Sequence, residues 1–249
     1  MKLNGKVAIV TGSRQGMGKA FALGLAKAGA DVVICDRVVD DGKLEAVTKE
    51  IEGLGRRSLA VPVDITSETD VESLARKTVE QFGRIDILVN NAGIAFYYPL
   101  QETPLKQWQL VLNVNLTGAF LCSRAVVPAM IKQKSGSIIN ITSGSATDSD
   151  LGTVPTGIAY GVSKAGLERL TLGMATELGK YNIAVNAIKP IKVVNTEGMR
   201  FWMADADKSQ WQTPDKMVKC AVFLAGQDAS GVTGTISTDE ELSTWHKLE

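Results

Sequence analysis

Histidine is almost absent from this chain. Its one histidine, His246, lies close to the C-terminal end, which excludes Ser-His-Asp hydrolysis, Cys-His proteolysis and any multi-histidine metal centre. Cysteine is scarce as well. Cys35, Cys122 and Cys220 stand far apart with no C-x-x-C pair, so buried thiols in a reducing compartment are expected and no metal is implied. Charge of one sign is missing: 27 basic residues face 27 acidic ones, leaving no field to gather phosphate backbones or anionic lipid. Neither nucleic acid nor a membrane is expected as a partner. Apolar runs last about one strand, and none approaches the roughly 20 residues of a bilayer crossing. The opening Met1-Lys2-Leu3-Asn4-Gly5-Lys6-Val7 enters a strand at once, with no room for a signal peptide, and a cytoplasmic protein is expected. No linker, repeat or low-complexity tract divides the sequence, so one domain is expected over residues 1–249.

What is present is a regular alternation. Lys6 to Val10, Asp31 to Cys35, Ser58 to Val63, Ile85 to Asn90, Ser137 to Thr142 and Ile183 to Ile188 are short, β-branched and apolar on both faces, as strands buried on both sides are. A last strand near Val232 to Thr238 is expected to close the sheet. Segments of helical period lie between them, such as Ala20, Leu23, Leu25, Ala26 and Val71, Leu74, Ala75, Val79. The pattern predicts an α/β doubly wound parallel sheet of Rossmann type, a three-layer single domain with right-handed crossovers. Ligands of such folds bind beyond the carboxyl ends of the strands, where the strand order switches.

The first such tip carries Thr11-Gly12-Ser13-Arg14-Gln15-Gly16-Met17-Gly18 and opens a helix. Gly12 permits a tight turn, Gly16 lets backbone approach a pyrophosphate, and Gly18 lets the helix pack on the strand, while the helix N-terminus offers free N–H groups. Asp36, eighteen residues after Gly18 at the second tip, suits a ribose carboxylate. It would repel a 2′-phosphate, which favours NAD(H) over NADP(H), although Arg37 and Arg14 are near enough to accommodate one in part. Asp64 after the third strand reads either as an adenine contact or as a helix cap through Ile65-Thr66-Ser67-Glu68. Asn91-Ala92-Gly93 after the fourth strand lets backbone approach a ligand.

Tyr160 and Lys164 lie four apart on the helix expected after the fifth strand, with Ser143 at that strand's tip. A neighbouring ammonium and an oxidised nicotinamide ring should favour phenolate and lower the tyrosine pKa. Tyr160 could then carry the proton between alcohol and ketone while Ser143 holds the oxygen, with Ser145 as a substitute.

With these motifs the chain resembles the short-chain dehydrogenase/reductase family, in its single-domain branch, from about Lys6 to Gly234. The resemblance implies a dinucleotide groove built from Gly12, Ser13, Gln15, Gly16, Met17, Gly18, Asp36, Arg37, Asp64, Ile65, Asn91, Ala92 and Gly93. Tyr160, Lys164, Pro190, Val193 and Thr196 complete it at the nicotinamide end. It implies Ser143, Tyr160 and Lys164 as catalytic residues and Asn115 as support for a proton-relay water, against the alternative that Asn115 bonds locally. It also implies a homo-oligomer, tetramer or dimer, and a mobile lid near residues 191–215.

Four departures from the family pattern stand out. Ser143 lies seventeen positions before Tyr160, enlarging the loop Ala146 to Thr156 with its Asp148, Asp150 and Pro155, which either reshapes the pocket or is a surface excursion. Lys189-Pro190-Ile191-Lys192 replaces a Pro-Gly step, so that Ile191 brings a side chain which could tighten the pocket, displace the nicotinamide ring or weaken binding, and two lysines that read equally as solvated charges. Met199, Phe201, Trp202, Met203 and Trp211 suit either an apolar substrate pocket or packing against the core. Asp239-Glu240-Glu241 stands where a glycine-rich end is usual. The expected function is NAD(H)-dependent interconversion of a secondary alcohol and a ketone on a small, apolar substrate. The alternatives are a 3-oxoacyl-thioester reductase, disfavoured by the lack of basic excess for an acidic carrier, and a non-catalytic NADH-sensing regulator.

Overall fold

The computed structural model describes residues 3–147 and 157–248. The core of the enlarged loop, with Asp148, Asp150 and Pro155, lies outside the described residues.

The chain alternates as the apolar runs require. In order come β1 (Val7–Thr11), α1 (Gly16–Lys27), β2 (Asp31–Asp36), α2 (Lys43–Gly53), β3 (Ser58–Pro62), α3 (Glu68–Phe82) and β4 (Ile87–Asn90). Then follow α4 (Leu105–Leu112), a π-helical turn (Asn113–Gly118), α5 (Ala119–Gln133), β5 (Gly136–Ile141), α6 (Ile158–Leu178) and β6 (Ile183–Lys189). The chain ends with α7 (Glu197–Trp202), α8 (Asp215–Ala225), β7 (Ile236–Thr238) and α9 (Asp239–His246). All strand pairs are parallel, in the order β3-β2-β1-β4-β5-β6-β7. The order reverses between β1 and β4, so the crevice opens at the tips of those two strands.

Period-two alternation splits the core into two layers. Ala8 and Val10 of β1 join Leu25, Val47, Ala221 and Leu224 under α1, α2 and α8, while Val7 and Ile9 join Leu74, Val126 and Leu178 under α3, α5 and α6. Every residue of β1 is buried. Each Val, Leu or Ile so enclosed contributes roughly 1.5–3 kcal/mol before chain entropy is counted. The three thiols are buried and unbridged, as expected.

Three features add to the sequence reading or depart from it. α4, the π turn and α5 run on as one helix of 29 residues, Leu105–Gln133, long and apolar enough by length and composition to cross a membrane. Polar residues such as Asn113, Asn115, Thr117 and Ser123 keep each apolar run in it short, as expected, although the helix as a whole is long. Part of the helix packs into the fold, with Val111, Leu121, Cys122, Val126 and Met130 buried.

The last strand is shorter than expected. The Asn186 amide donates to Val232 O at 2.8 Å and accepts from Thr235 N–H at 3.1 Å, drawing those residues into a loop before β7 starts at Ile236. Finally, Asp239-Glu240-Glu241 forms the first turn of α9. Thr238 and Glu241 close a reciprocal capping box there, the three acids suit the positive end of the helix, and Leu242 is fully buried. Leu242→Ala should cost about 2–5 kcal/mol, the range for emptying a leucine-sized core site, read from the urea midpoint at unchanged slope. A loss under about 0.5 kcal/mol, as at ordinary surface sites, would mean that α9 is not docked.

Candidate active site

The groove begins where the β1 and β4 tips are laced together. Thr11 Oγ accepts N–H bonds from Asn91 and Ala92, both at 3.0 Å, and the Asn91 amide donates back to Thr11 O at 2.9 Å and Gly12 O at 3.2 Å. This leaves no space for a side chain at Gly12 or Gly18. A Cβ on Gly12, at φ +64°, would lie 2.8 Å from Ala92 Cα, and one on Gly18 would lie 2.1 Å from Gly12 O. The first turn of α1 follows with no side-chain cap from Gln15 and no acid, so its N–H groups and positive end are left for an anion. Gly16 sits under Thr196, 3.7 Å from where its Cβ would be, and Thr196 itself caps α7 by accepting from Met199 N–H at 3.3 Å. Met17 packs partly on the core. Ser13 turns inward: its buried hydroxyl accepts from Cys35 N–H at 2.9 Å and donates to Cys35 O at 3.3 Å, fixing the turn to β2. Its N–H also donates to Cys35 O at 3.1 Å, so side chain and backbone N–H alike serve the turn.

At the second tip, Asp36 accepts from Val38 N–H at 3.0 Å, with Arg14 Nε 3.7 Å from the same oxygen. Arg14 is also bonded to Asp41, which Lys43 Nζ approaches at 3.4 Å; Lys43 in turn donates to Gln15 Oε1 at 2.9 Å. Asp64 spends Oδ1 on the N–H and hydroxyl of Thr66, at 2.9 and 2.7 Å, and these bonds with the charge of Arg37 hold its carboxyl below the ordinary value. The cap of α3 is Ser67, not Asp64. Ile65 is buried against Gly118.

At the β5 tip the hydroxyls of Ser143 and Tyr160 are hydrogen-bonded to each other. Lys164 is 4% exposed, its ammonium 2.7 Å from Ile141 O and 5.6 Å from the centre of the Tyr160 ring. Asn115 lies in the π turn, whose extra residue swings its side chain inward. Its bonds are not local. The amide donates to Ile94 O and Ser163 Oγ at 2.9 and 3.0 Å and accepts from Ile94 N–H at 2.8 Å, joining the stretch after β4 to α6. Gly93 faces this group, and a Cβ there would stand 3.3 Å from Asn115 Oδ1 and 3.6 Å from Lys164 Nζ. A glycine cradle, an uncapped helix end and a buried Arg14 Nε without a hydrogen-bond partner fit a dinucleotide laid from Asp36 to Lys164.

Residues 6–207 match the short chain dehydrogenase family. The chain belongs to that family. It is accordingly an NAD(P)-dependent oxidoreductase acting on CH–OH groups. It is 36% identical to the (2S)-[(R)-hydroxy(phenyl)methyl]succinyl-CoA dehydrogenase subunit BbsD of Thauera aromatica, covering 95% of each chain. It is 35% identical to the 3-oxoacyl-[acyl-carrier-protein] reductase FabG of Thermotoga maritima, over 95% of this chain and 96% of that one. The crystal structure of a short-chain type dehydrogenase/reductase from Mycobacterium marinum superposes with a TM-score of 0.84 at 31% identity, covering 95% and 94%.

Within this short-chain dehydrogenase several departures resolve. Ile191 is 55% exposed and lines a cleft of about 300 Å³ with Lys192, Trp211, Gln212, Lys216 and Glu240, none of them at the Ser143–Tyr160 pair. Its N–H is held at 2.9 Å by buried Asp239, which also accepts from the Gln212 amide at 2.7 Å. Pro190 and Val193 are half-buried on either side of it. Lys192 is exposed, but Lys189 is no solvated charge: its ammonium lies 3.2 Å from both Glu168 Oε1 and Thr147 Oγ, and Glu168 is 7% exposed. Phe201 is 78% exposed and so is not a core residue. A larger cleft of about 520 Å³ between α3 and α5 holds none of the residues read as catalytic or cofactor-binding.

Tyr97 escaped the sequence reading. A Cβ at Gly157 would meet its ring at 3.1 Å, and its charge bears on the Tyr160 phenol. The run Phe96-Tyr97-Tyr98, starting three residues after Gly93, was the available signal.

Charge behaves differently from the expectation for Tyr160. Burial pushes its phenol up to about 12, the Ser143 bond opposes this, and Tyr97 adds to it; Lys164 is not among the causes. Burial also brings the Lys164 amine down to about 8. Both groups are desolvated together, and the ammonium lies over the ring face, so desolvation outweighs attraction.

An amine at about 8 in the fold and 10.5 when unfolded binds fewer protons folded than unfolded between those values. Its contribution to stability therefore rises with pH across that window, by on the order of 3 kcal/mol. The buried thiols, with raised values, act in the opposite direction above pH 9. Urea unfolding of wild type and Lys164→Met between pH 7 and 10.5 separates the two effects: the variant should lack the rise, and parallel curves would show that the amine titrates normally.

Proposed function

We propose that the protein interconverts a secondary alcohol and a ketone, favouring NAD(H), with Tyr160 as the proton carrier. The observation that carries this reading is the hydrogen-bonded Ser143–Tyr160 hydroxyl pair beside buried Lys164, facing the Gly93 cradle. When bound, the dinucleotide supplies or accepts the hydride at the carbinol carbon. Ser143 Oγ donates to the substrate oxygen and fixes it. In reduction Tyr160, neutral well above pH 7, gives its proton to that oxygen. In oxidation Tyr160 must first lose its proton, which a positive ring close by favours. Lys164 Nζ, anchored on Ile141 O, keeps further donors for ribose hydroxyls. Asn115 holds the backbone of Ile94 in place, and a relay water between it and Lys164 belongs to the same reading.

Three further elements support the reading. Asp36, oriented by Val38 N–H, suits two free ribose hydroxyls, and both nearby arginines already face carboxylates, Arg14 with Asp41 and Arg37 with Asp64. The Phe96-Tyr97-Tyr98 run and exposed Phe201 suit an apolar substrate, under a lid taken from residues 191–215. Exposed Leu105, Phe120 and Leu172 on the long helix and α6 suit association with further copies of the chain. A 3-oxoacyl thioester is the second reading, favoured by the 35% identity to the Thermotoga reductase. Faster turnover of acyl thioesters than of free ketones would select it.

Nicotinamide absorbance with a panel of ketones and secondary alcohols tests the activity with each dinucleotide. Tyr160→Phe should lower kcat by about 10²–10⁴, the usual weight of a general acid, while NADH binding by calorimetry is largely kept. Turnover within about tenfold of wild type would remove Tyr160 from that role.

A further inference from the structure

Arginine binds phosphate through a planar fork of donors, and it does so only when those donors are available. Arg14 is the guanidinium nearest the Asp36 carboxylate, with Nε 3.7 Å from Oδ1 and a side chain only 17% exposed. One of its nitrogens is bonded to Asp41, while Nε is buried and has no hydrogen-bond partner. Asp41 is itself fixed. It accepts from Lys43 N–H at 3.2 Å, lies 3.4 Å from Lys43 Nζ, and Lys43 is tied to Gln15 at 2.9 Å. The ring of contacts Asp36, Arg14, Asp41, Lys43 and Gln15 thus joins the β1–α1 turn, the β2 tip and the start of α2. Its two carboxylates offset its two cations.

We propose that Asp41 sets the choice of dinucleotide by locking Arg14, so that the arginine faces the ribose corner as a neutralised partner rather than as a 2′-phosphate ligand. This rests on the NAD(H) reading above. With Asp41 neutral, the cluster gains one positive charge and Arg14 regains a free donor edge next to the buried Nε. A 2′-phosphate then meets a charge-assisted fork where it had met a closed ion pair. Asp36 still repels it, so the change is a relaxation of the preference rather than its reversal.

Calorimetric titration of NADH and NADPH into wild type, Asp41→Asn, Arg14→Met and the double variant tests the lock. Asp41→Asn should raise NADPH affinity relative to NADH about tenfold, the size of one charge-assisted contact, and Arg14→Met in the same chain should abolish the gain. A ratio within about twofold of wild type in Asp41→Asn overturns the lock, and so does a gain that survives loss of Arg14. Wild type that binds NADPH more tightly than NADH would instead sink the NAD(H) reading itself. Asp41 is exposed at the surface, and equal thermal midpoints for the four proteins would show that folding does not enter the comparison.

Discussion

The close approach of the β1 turn to the β4 tip is the constraint on which the site depends. Asn91 and Ala92 donate four hydrogen bonds to Thr11 and Gly12 across the switch in strand order, and Gly12 rests on Ala92 with no room for a Cβ. Backbone is thereby brought to the surface of a crevice whose walls are otherwise side chains. One end of the crevice is set by the exposed N–H groups of α1, the other by Gly93 against Asn115 and Lys164. Every functional group described above is placed relative to that junction.

Beneath it lies a polar layer that stiffens the floor. The Asn90 amide donates to Ser123 Oγ and Asn140 Oδ1, and the Asn140 amide donates to Thr171 Oγ, linking β4, β5, α5 and α6 in the interior. Buried amides are costly unless paired, and here the pairing crosses four elements, so their relative positions are specified as well as stabilised. Tyr160 and Lys164 project from α6, above this layer. Their burial acts against charge on both, the phenol going up and the amine down. A protein-only environment therefore favours the neutral acid, the form that ketone reduction uses.

The sequence was most legible where the physics is local. β-branched runs buried on both faces gave the strands, a glycine turn ahead of a helix gave the anion end, and the Tyr160–Lys164 spacing gave one helical face. Contacts between distant residues were not legible. Lys189 and Glu168 are 21 positions apart and pair only because β6 packs on α6. The acids at Asp239, Glu240 and Glu241 read as a lost glycine-rich end, while the capping by Thr238 and the docking of Leu242 make them a helix start. Ile191 read as an obstruction because its direction depends on Asp239, 48 residues later.

The wide turn at Asn113–Gly118 has a bearing beyond the asparagine it carries. Each residue of an α-helix advances about 100° around the axis, so one extra residue in a turn rotates everything before it against everything after it. The turn acts as a vernier between α4, which packs on α6, and α5, which packs on α3. Trimming one residue there would leave a straighter helix and a displaced face on one side of the cut. Length in this stretch is therefore constrained alongside residue type.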